Sequence, residues 1–315
     1  MRTPCALISL ALLLVTVAVA DAWERQPGYP MKVRVSGTGP TDAGIRTGGS
    51  AFAHRTAGWG SEAGASGAEI LCPKRGFSFA GGVRPLFSHL TGAVKAQSKG
   101  GEGTFLSLTG HLRLPSDNTL WEVYSRLRLW DKATVRIDYV PWNWSGPGHA
   151  GTDGNFAGLV LVRDDPISTD LSITSLVLGG EYDVSFSRDL IFGPNADLHI
   201  IKWQQRVASD MGQSGEFSQT MLQPAIGAHV RYEPENTGYF SWFKPYLGGR
   251  FSWMNFNSLG LSEWDAFAGI APPLSRNVDS GFKLGYKQWR LEGNARRLFA
   301  DVGVEGFYLD FALHF

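Results

Sequence analysis

The sequence predicts an all-β protein, a closed antiparallel up-and-down barrel of about ten strands that crosses a membrane, behind a flexible N-terminal tail. Three observations predict it. From Gly76 to Phe315 apolar and polar side chains alternate within short segments, the period that places successive side chains on opposite faces of a strand. Turn-forming residues divide these segments. The 39 glycines, 11 tryptophans and 19 phenylalanines suit twisted strands carrying aromatic belts better than a helical core.

The N-terminus reads as a secretory signal, residues 1–22. Arg2 supplies the positive charge, Ala6 to Ala20 the apolar run, and Ala20-Asp21-Ala22 the small residues of a cleavage site. That run is too short for a membrane-spanning helix, which needs about 20 residues. Beyond it no apolar stretch is long enough to be one. Cys5 lies inside the signal and Cys72 stands alone in the mature chain, so neither an internal disulfide nor a cysteine metal site is expected. Residues 23–75, rich in Gly, Ser and Ala, lack periodicity and read as a flexible segment. Lysine plus arginine and aspartate plus glutamate each total 29, a balance that gives no electrostatic footing to a nucleic-acid partner.

Within 76–315 each strand can be argued in turn. A first lies between Gly76 and Val94. Phe105 to Leu114 is ambiguous, so eight or twelve strands also fit. Trp121, Val123, Leu127 and Leu129 alternate with Glu122, Tyr124, Arg126 and Arg128. Across the tight turn at Asp131-Lys132, Val135, Ile137 and Tyr139 alternate with Arg136 and Asp138. Leu176, Leu178, Tyr182, Val184 and Phe186 oppose Glu181, Asp183 and Ser185. Asp197 to Trp203 is a weaker copy. The clearest segment sets Leu222, Pro224, Ile226, Ala228, Val230 and Tyr232 against Gln223, Ala225, Gly227, His229 and Arg231. Phe243, Leu247, Phe251 and Trp253 then oppose Lys244, Tyr246 and Arg250, followed by Trp264 to Ile270, Phe282 to Tyr286 and the last strand. Short connections at Asp131-Lys132, Ser187 to Asp189, Glu233 to Gly238 and Pro272 to Asn277 are expected at one end of the barrel. Longer ones at Ser145 to Thr169 and Ala208 to Ser218 are expected at the other, the layout of a barrel with its short turns on the periplasmic side.

Alternation alone does not say which face is outside, because a secreted barrel is apolar within and charged without. Three features point to a membrane. Phe307, Leu309, Phe311, Leu313 and Phe315 occupy every second position of the last strand. Trp121, Trp142, Trp144, Trp203, Trp242, Trp253, Trp264 and Trp289 fall near expected strand ends, where interfacial girdles sit. Charges of both signs mix on the polar face, as a narrow lumen requires. That interior network is assigned to Glu122, Arg126, Arg128, Arg136, Asp138, Glu181, Asp183, Asp197, His199, His229, Arg231, Lys244, Arg250, Lys283 and Lys287.

The stretches Leu108-Thr-Gly-His-Leu-Arg-Leu, Tyr124-Ser-Arg-Leu-Arg-Leu and Arg136-Ile-Asp-Tyr-Val-Pro resemble recurrent pieces of small Gram-negative outer-membrane β-barrel proteins. The terminal row Phe307 to Phe315 resembles the strand by which the barrel-insertion machinery recognises its clients. The resemblance implies an outer-membrane location, with membrane lipid and that machinery as partners, and no particular activity.

Candidate chemistry is thin. His199 lies two residues from Asp197, His229 beside Arg231, and His314 near Asp310, yet no motif places a serine or other nucleophile among them. No catalytic residue, metal site or cofactor is therefore expected. Gly81-Gly82, Gly179-Gly180 and Gly248-Gly249 lack the Gly-Lys-Ser/Thr of a phosphate loop and read as relief for a crowded, bent wall. Asn143-Trp144-Ser145 is a glycosylation acceptor in form only. The function expected is a non-enzymatic outer-membrane protein with an envelope-structural or surface-interaction role, its surface ligand unidentified. A narrow porin-like conduit for small anions is the alternative, and an outer-leaflet lipid-modifying enzyme the third.

Overall fold

The computed structural model describes residues 77–97, 103–129, 132–234, 244–275 and 278–315. The expected signal and tail lie outside these residues, as does Trp242. Ten long strands build the barrel: β1 (Phe77–Ala96), β2 (Asp117–Leu129), β3 (Ala133–His149), β4 (Pro166–Tyr182), β5 (Leu190–Ser209), β6 (Ser214–Tyr232), β7 (Pro245–Phe256), β8 (Leu259–Ile270), β9 (Val278–Ala295) and β10 (Leu298–His314). Each pairs antiparallel with its neighbours in sequence. The ring closes where β1 meets β10, Ala80 opposite His314 and Ala96 opposite Leu298. The last residue is tied in as well, since Phe315 and Phe79 exchange both backbone hydrogen bonds. No helix occurs among the described residues. The fold is thus all-β and closed, with the strand count at the centre of the expected range.

The strands run further than their alternating segments suggested. Within Ser145 to Thr169 the flanks 145–149 and 166–169 are strand, leaving a connection at 150–165 that carries a small hairpin, Gly154–Phe156 against Leu159–Leu161. Ala208 to Ser218, expected as a long loop, instead contains the tight turn 210–213 between β5 and β6. Tight turns also join β7 to β8 and β9 to β10, so this end of the barrel mixes short turns with two long connections. The ambiguous Phe105 to Leu114 is one of the latter. Its Leu106–Ser107 pairs with β1, and Leu106, Leu108, Leu112 and Leu114 turn inward and are fully or nearly buried.

Strand length has a physical consequence. β1 and β5 each have 20 residues, about 50 Å along the axis at ~3.3 Å per residue and ~40° tilt, roughly twice the ~25 Å apolar band of a transmembrane barrel. The side-chain pattern answers this by inverting part-way along. On β5 the outward row runs Phe192, Pro194, Ala196, Leu198, Ile200 and then Lys202, Gln204, Arg206. Its inward row runs Asn195, Asp197, His199 and then Ile201, Trp203, with Val207 beyond. On β9 the outward row passes from Phe282, Leu284 and Tyr286 to Gln288, Arg290 and Glu292, as the inward row passes from Lys283 and Lys287 to Trp289 and Leu291. β10 changes between Phe307 and Glu305 outside and between Tyr308 and Val304 inside. The lower half, which holds both described chain ends, is apolar outside and charged within. The upper half is polar outside and apolar within.

Candidate functional site

The inverted pattern divides the lumen into two storeys. In the lower, parity along each strand turns the charged residues inward and register sets them at matching heights, so that they meet across the barrel. Asp197 accepts from Arg136 at 3.1 Å, from Ser252 at 3.0 Å and from Arg250. Arg136 also bonds Asp138 at 3.1 Å, and Arg250 reaches Glu181 at 3.3 Å and Glu263 at 3.6 Å. Lys287 links Glu263 to Glu122, at 3.6 and 2.8 Å. Glu122 then bonds Arg84, which bonds Asp310, which holds Lys283 at 2.7 Å and the Tyr124 hydroxyl at 2.5 Å. Arg84 stacks over the Tyr308 ring at 4.5 Å, and Arg126 lies 5.1 Å from the Tyr124 ring centre. Burial of so many charges is tolerable because most are met by opposite charge, a hydrogen bond or an aromatic ring. A methyl group at Gly179 would collide with the Asp197 carboxylate, whereas one at Gly180 would meet nothing, so of the pair Gly179 makes room for the Asp197–Arg136 ion pair.

At the lower mouth Asp183 gathers Arg128 at 3.1 Å, His229 at 2.8 Å and Arg231 at 3.8 Å. Lys244 pairs with Asp279 there at 3.9 Å. His199 is buried at the ceiling of the lower storey, beside a cavity of about 10 Å³ that it lines with Asp138, Ser175, Trp142, Glu263 and Lys287. That is room for one water molecule and no more. His314 is exposed at the mouth.

Sequence reasoning missed Arg84 and Glu263 and left Asp310 as an isolated neighbour of His314. Arg84 sits among Gly81, Gly82 and Pro85, which blur the alternation. Glu263 lies within β8, where the outward row Trp264, Ala266 and Ala268 is scarcely more apolar than the inward one. Extending the parity of Asp265 and Phe267 backwards would have found it.

The upper storey corrects the aromatic assignment. Trp142, Trp144, Trp203 and Trp289 are at most 3% exposed and fill the lumen, with Trp142 edge-on to Trp289 at 5.5 Å and to Trp144 at 6.3 Å. The physical reason is parity. Trp142 and Trp144 fall in step with Arg136 and Asp138, Trp203 with Asp197, and Trp289 with Lys287, so all four must point where the charges point. Trp121, Trp253 and Trp264 do face outward, at the upper edge of the apolar band. Leu106, Leu108, Leu112, Leu161, Ile173 and Ile201 close the core around the inward tryptophans.

On the outer surface, where the band ends, a lateral chain of polar contacts marks the seam. Trp264 Nε1 donates to Gln288, Gln288 to Glu305, and Glu305 faces His89 across the β1–β10 pairing. His89 Nδ1 and Asp117 Oδ1 lie 2.9 Å apart. The bonds from His89 and Ser116 hold the Asp117 carboxyl below its ordinary value. Ser116 donates its hydroxyl to this carboxylate at 2.8 Å and not to the imidazole, so the three do not form a nucleophile–base pair. Phe307, Leu309, Phe311, Leu313 and Phe315 form an outward row, each between 38% and 61% exposed. Among the described residues no cluster of three or more metal-ligating side chains occurs.

No protein-family model matches this chain, and no curated protein does. Solved structures match it at low identity. The outer membrane protease OmpT from Escherichia coli is 12% identical with a TM-score of 0.42, over 78% of this chain and 99% of that one. Ail, the attachment invasion locus protein of Yersinia pestis, is 12% identical with a TM-score of 0.31, over 76% and 97%. Neisserial surface protein A is 13% identical with a TM-score of 0.26, over 76% and 96%. At these values the likeness assigns no activity.

Proposed function

We propose that the chain is a non-enzymatic outer-membrane barrel that acts through its surface and not through its lumen. The outward apolar band of the lower half, bounded above by Trp121, Trp253 and Trp264, supports membrane insertion, with the polar upper half standing outside. The single observation that carries the functional reading is the doubly closed interior. A cross-braced ion-pair network fills the lower storey and a tryptophan core the upper, with a water-sized cavity between them. A conduit for anions needs a continuous wet path and cationic sites free to exchange ligands. Here the interior arginines and lysines are engaged by carboxylates or aromatic rings. The outward row Phe307 to Phe315 is read as the segment the insertion machinery recognises.

The test is planar-bilayer recording of the purified full chain. No stepwise conductance is expected at any polarity. Regular ion-conducting steps, abolished when the barrel is unfolded, would overturn the sealed-lumen reading.

A further inference from the structure

Three cations stand together at one place on the upper rim. Lys95 at the end of β1 and the turn residues Arg296 and Arg297 face a cavity of about 260 Å³, whose wall also includes Phe105, Phe299 and Asn294. Among the described residues no carboxylate lies within ion-pair distance of the three cations. The neighbouring acids Glu292 and Asp301 are both taken by Arg290, at 3.5 and 3.0 Å. Phe105 and Phe299 meet edge to face at 4.8 Å, and Lys95 Nζ sits 5.4 Å from the Phe105 ring centre. Phe105 remains 51% exposed, so the aromatic wall is open to a ligand.

A second, independent observation concerns the backbone. Arg296 adopts φ +54° in a two-residue hairpin turn, where glycine or asparagine would sit without strain. The turn imposes this conformation, as it does at Asn257 and Ser258 between β7 and β8, and here an arginine occupies it. The amide of Gln97 holds the turn in place by donating to the Arg297 carbonyl at 3.0 Å.

We propose that this groove binds a phosphorylated saccharide, the cations taking phosphate and the phenylalanine pair the apolar face of the sugar. Guanidinium groups bind phosphate in bidentate fashion, and the electron-rich face of an exposed ring suits the C–H face of a sugar. Height excludes a phospholipid headgroup. Phe299 lies eight residues above Phe307, the top of the apolar band, which is about 20 Å along the axis, whereas the headgroup layer is only ~6 Å deep. The ligand is therefore a free sugar phosphate or the outstretched sugar of a membrane glycolipid. The proposal deepens the surface-binding reading and rests on it.

The experiment is isothermal titration of the full chain in neutral detergent with glucose 1,6-bisphosphate, with glucose as control. Binding is expected for the phosphate ester alone, weakening as salt is raised. The variant Lys95→Gln/Arg296→Gln/Arg297→Gln should lose at least about tenfold in affinity. Arg296→Gly, which relieves the backbone, should lose about threefold while melting no lower than wild type; this arm guards against misfolding of the triple variant. Repeating the titration in nanodiscs containing a phosphorylated glycolipid identifies the source: binding blocked there means the membrane's own lipid occupies the groove, and binding retained means a free ligand. Absence of binding to wild type at low salt, equal binding of glucose, or unchanged affinity in the triple variant would each overturn the proposal. Micelle titration does not depend on lumen closure, so its failure leaves the sealed-barrel reading standing, and conducting steps would leave the groove standing.

Discussion

Asp197 shows what a single side chain does in the lower storey. It holds two arginines from two different strands, and each arginine braces further carboxylates. Replacing it with alanine strands part of both charges in a dry interior, and the cost expected is about 3 kcal/mol, at the low end for breaking a buried pair because Asp138, Glu181 and Glu263 remain. Asp197→Asn, which keeps an acceptor in place, should cost less. Urea unfolding of the folded protein in lipid, followed by tryptophan fluorescence, measures both; equal stability of wild type and Asp197→Ala would remove the network from the account of stability. Interior charges such as Glu122, Arg126, Arg136 and Arg250 were legible from alternation because they share strands with apolar outward rows. Arg84 and Glu263 were not, because glycine, proline or alanine neighbours weaken the contrast on which parity is read. Asp310 was seen but not joined to Arg84 and Lys283, since alternation gives a face and never a partner across the lumen.

For the strand as a whole the decisive quantity is where its two faces exchange character. A strand that is apolar outside over one half and inside over the other averages to weak amphipathicity, which is why Asp197 to Trp203, spanning the change on β5, reads as a poor copy. The two rival readings of the alternation, membrane barrel and soluble barrel, turn out to describe the two halves of the same strands. Substitution separates them. Ile226→Arg, at the centre of the outward apolar row Leu222 to Tyr232, should cost about 2–4 kcal/mol. Gln204→Arg, outward but above the seam, should change stability by less than ~0.5 kcal/mol. Unfolding titrations in the same lipid compare them, and equal costs would erase the seam. Strand ends were the least legible feature. Ala208 to Ser218 carries Gly, Ser and Asp in a loop-like mixture, yet most of it is strand, held by pairings such as Val207 with Gly215 and Gln205 with Phe217.

Closure governs the whole molecule. With β1 sealed to β10 there is no free edge from which the sheet can be unzipped, so unboiled protein should keep its fold in mild SDS and migrate differently from boiled protein; identical mobility would argue against a closed barrel. Assembly is a separate question from stability. Phe315→Ser removes one ring from an outward row of five, a loss of at most ~2 kcal/mol in burial. If that row is the insertion signal, outer-membrane yield should drop by more than the melting temperature of the inserted protein suggests, which envelope fractionation and thermal melts together decide. The seam itself acts as a waterline. Sliding the barrel by two residues along its strands would move it about 5 Å through the bilayer and carry a ring of outward side chains across the boundary. Downward, the ring includes Lys202, Gln288 and Glu305; upward, it wets Ile200, Tyr286 and Phe307. Either displacement costs on the order of several kcal/mol. The protein is therefore moored at one draught, and whatever engages its rim meets it at a constant freeboard above the lipid.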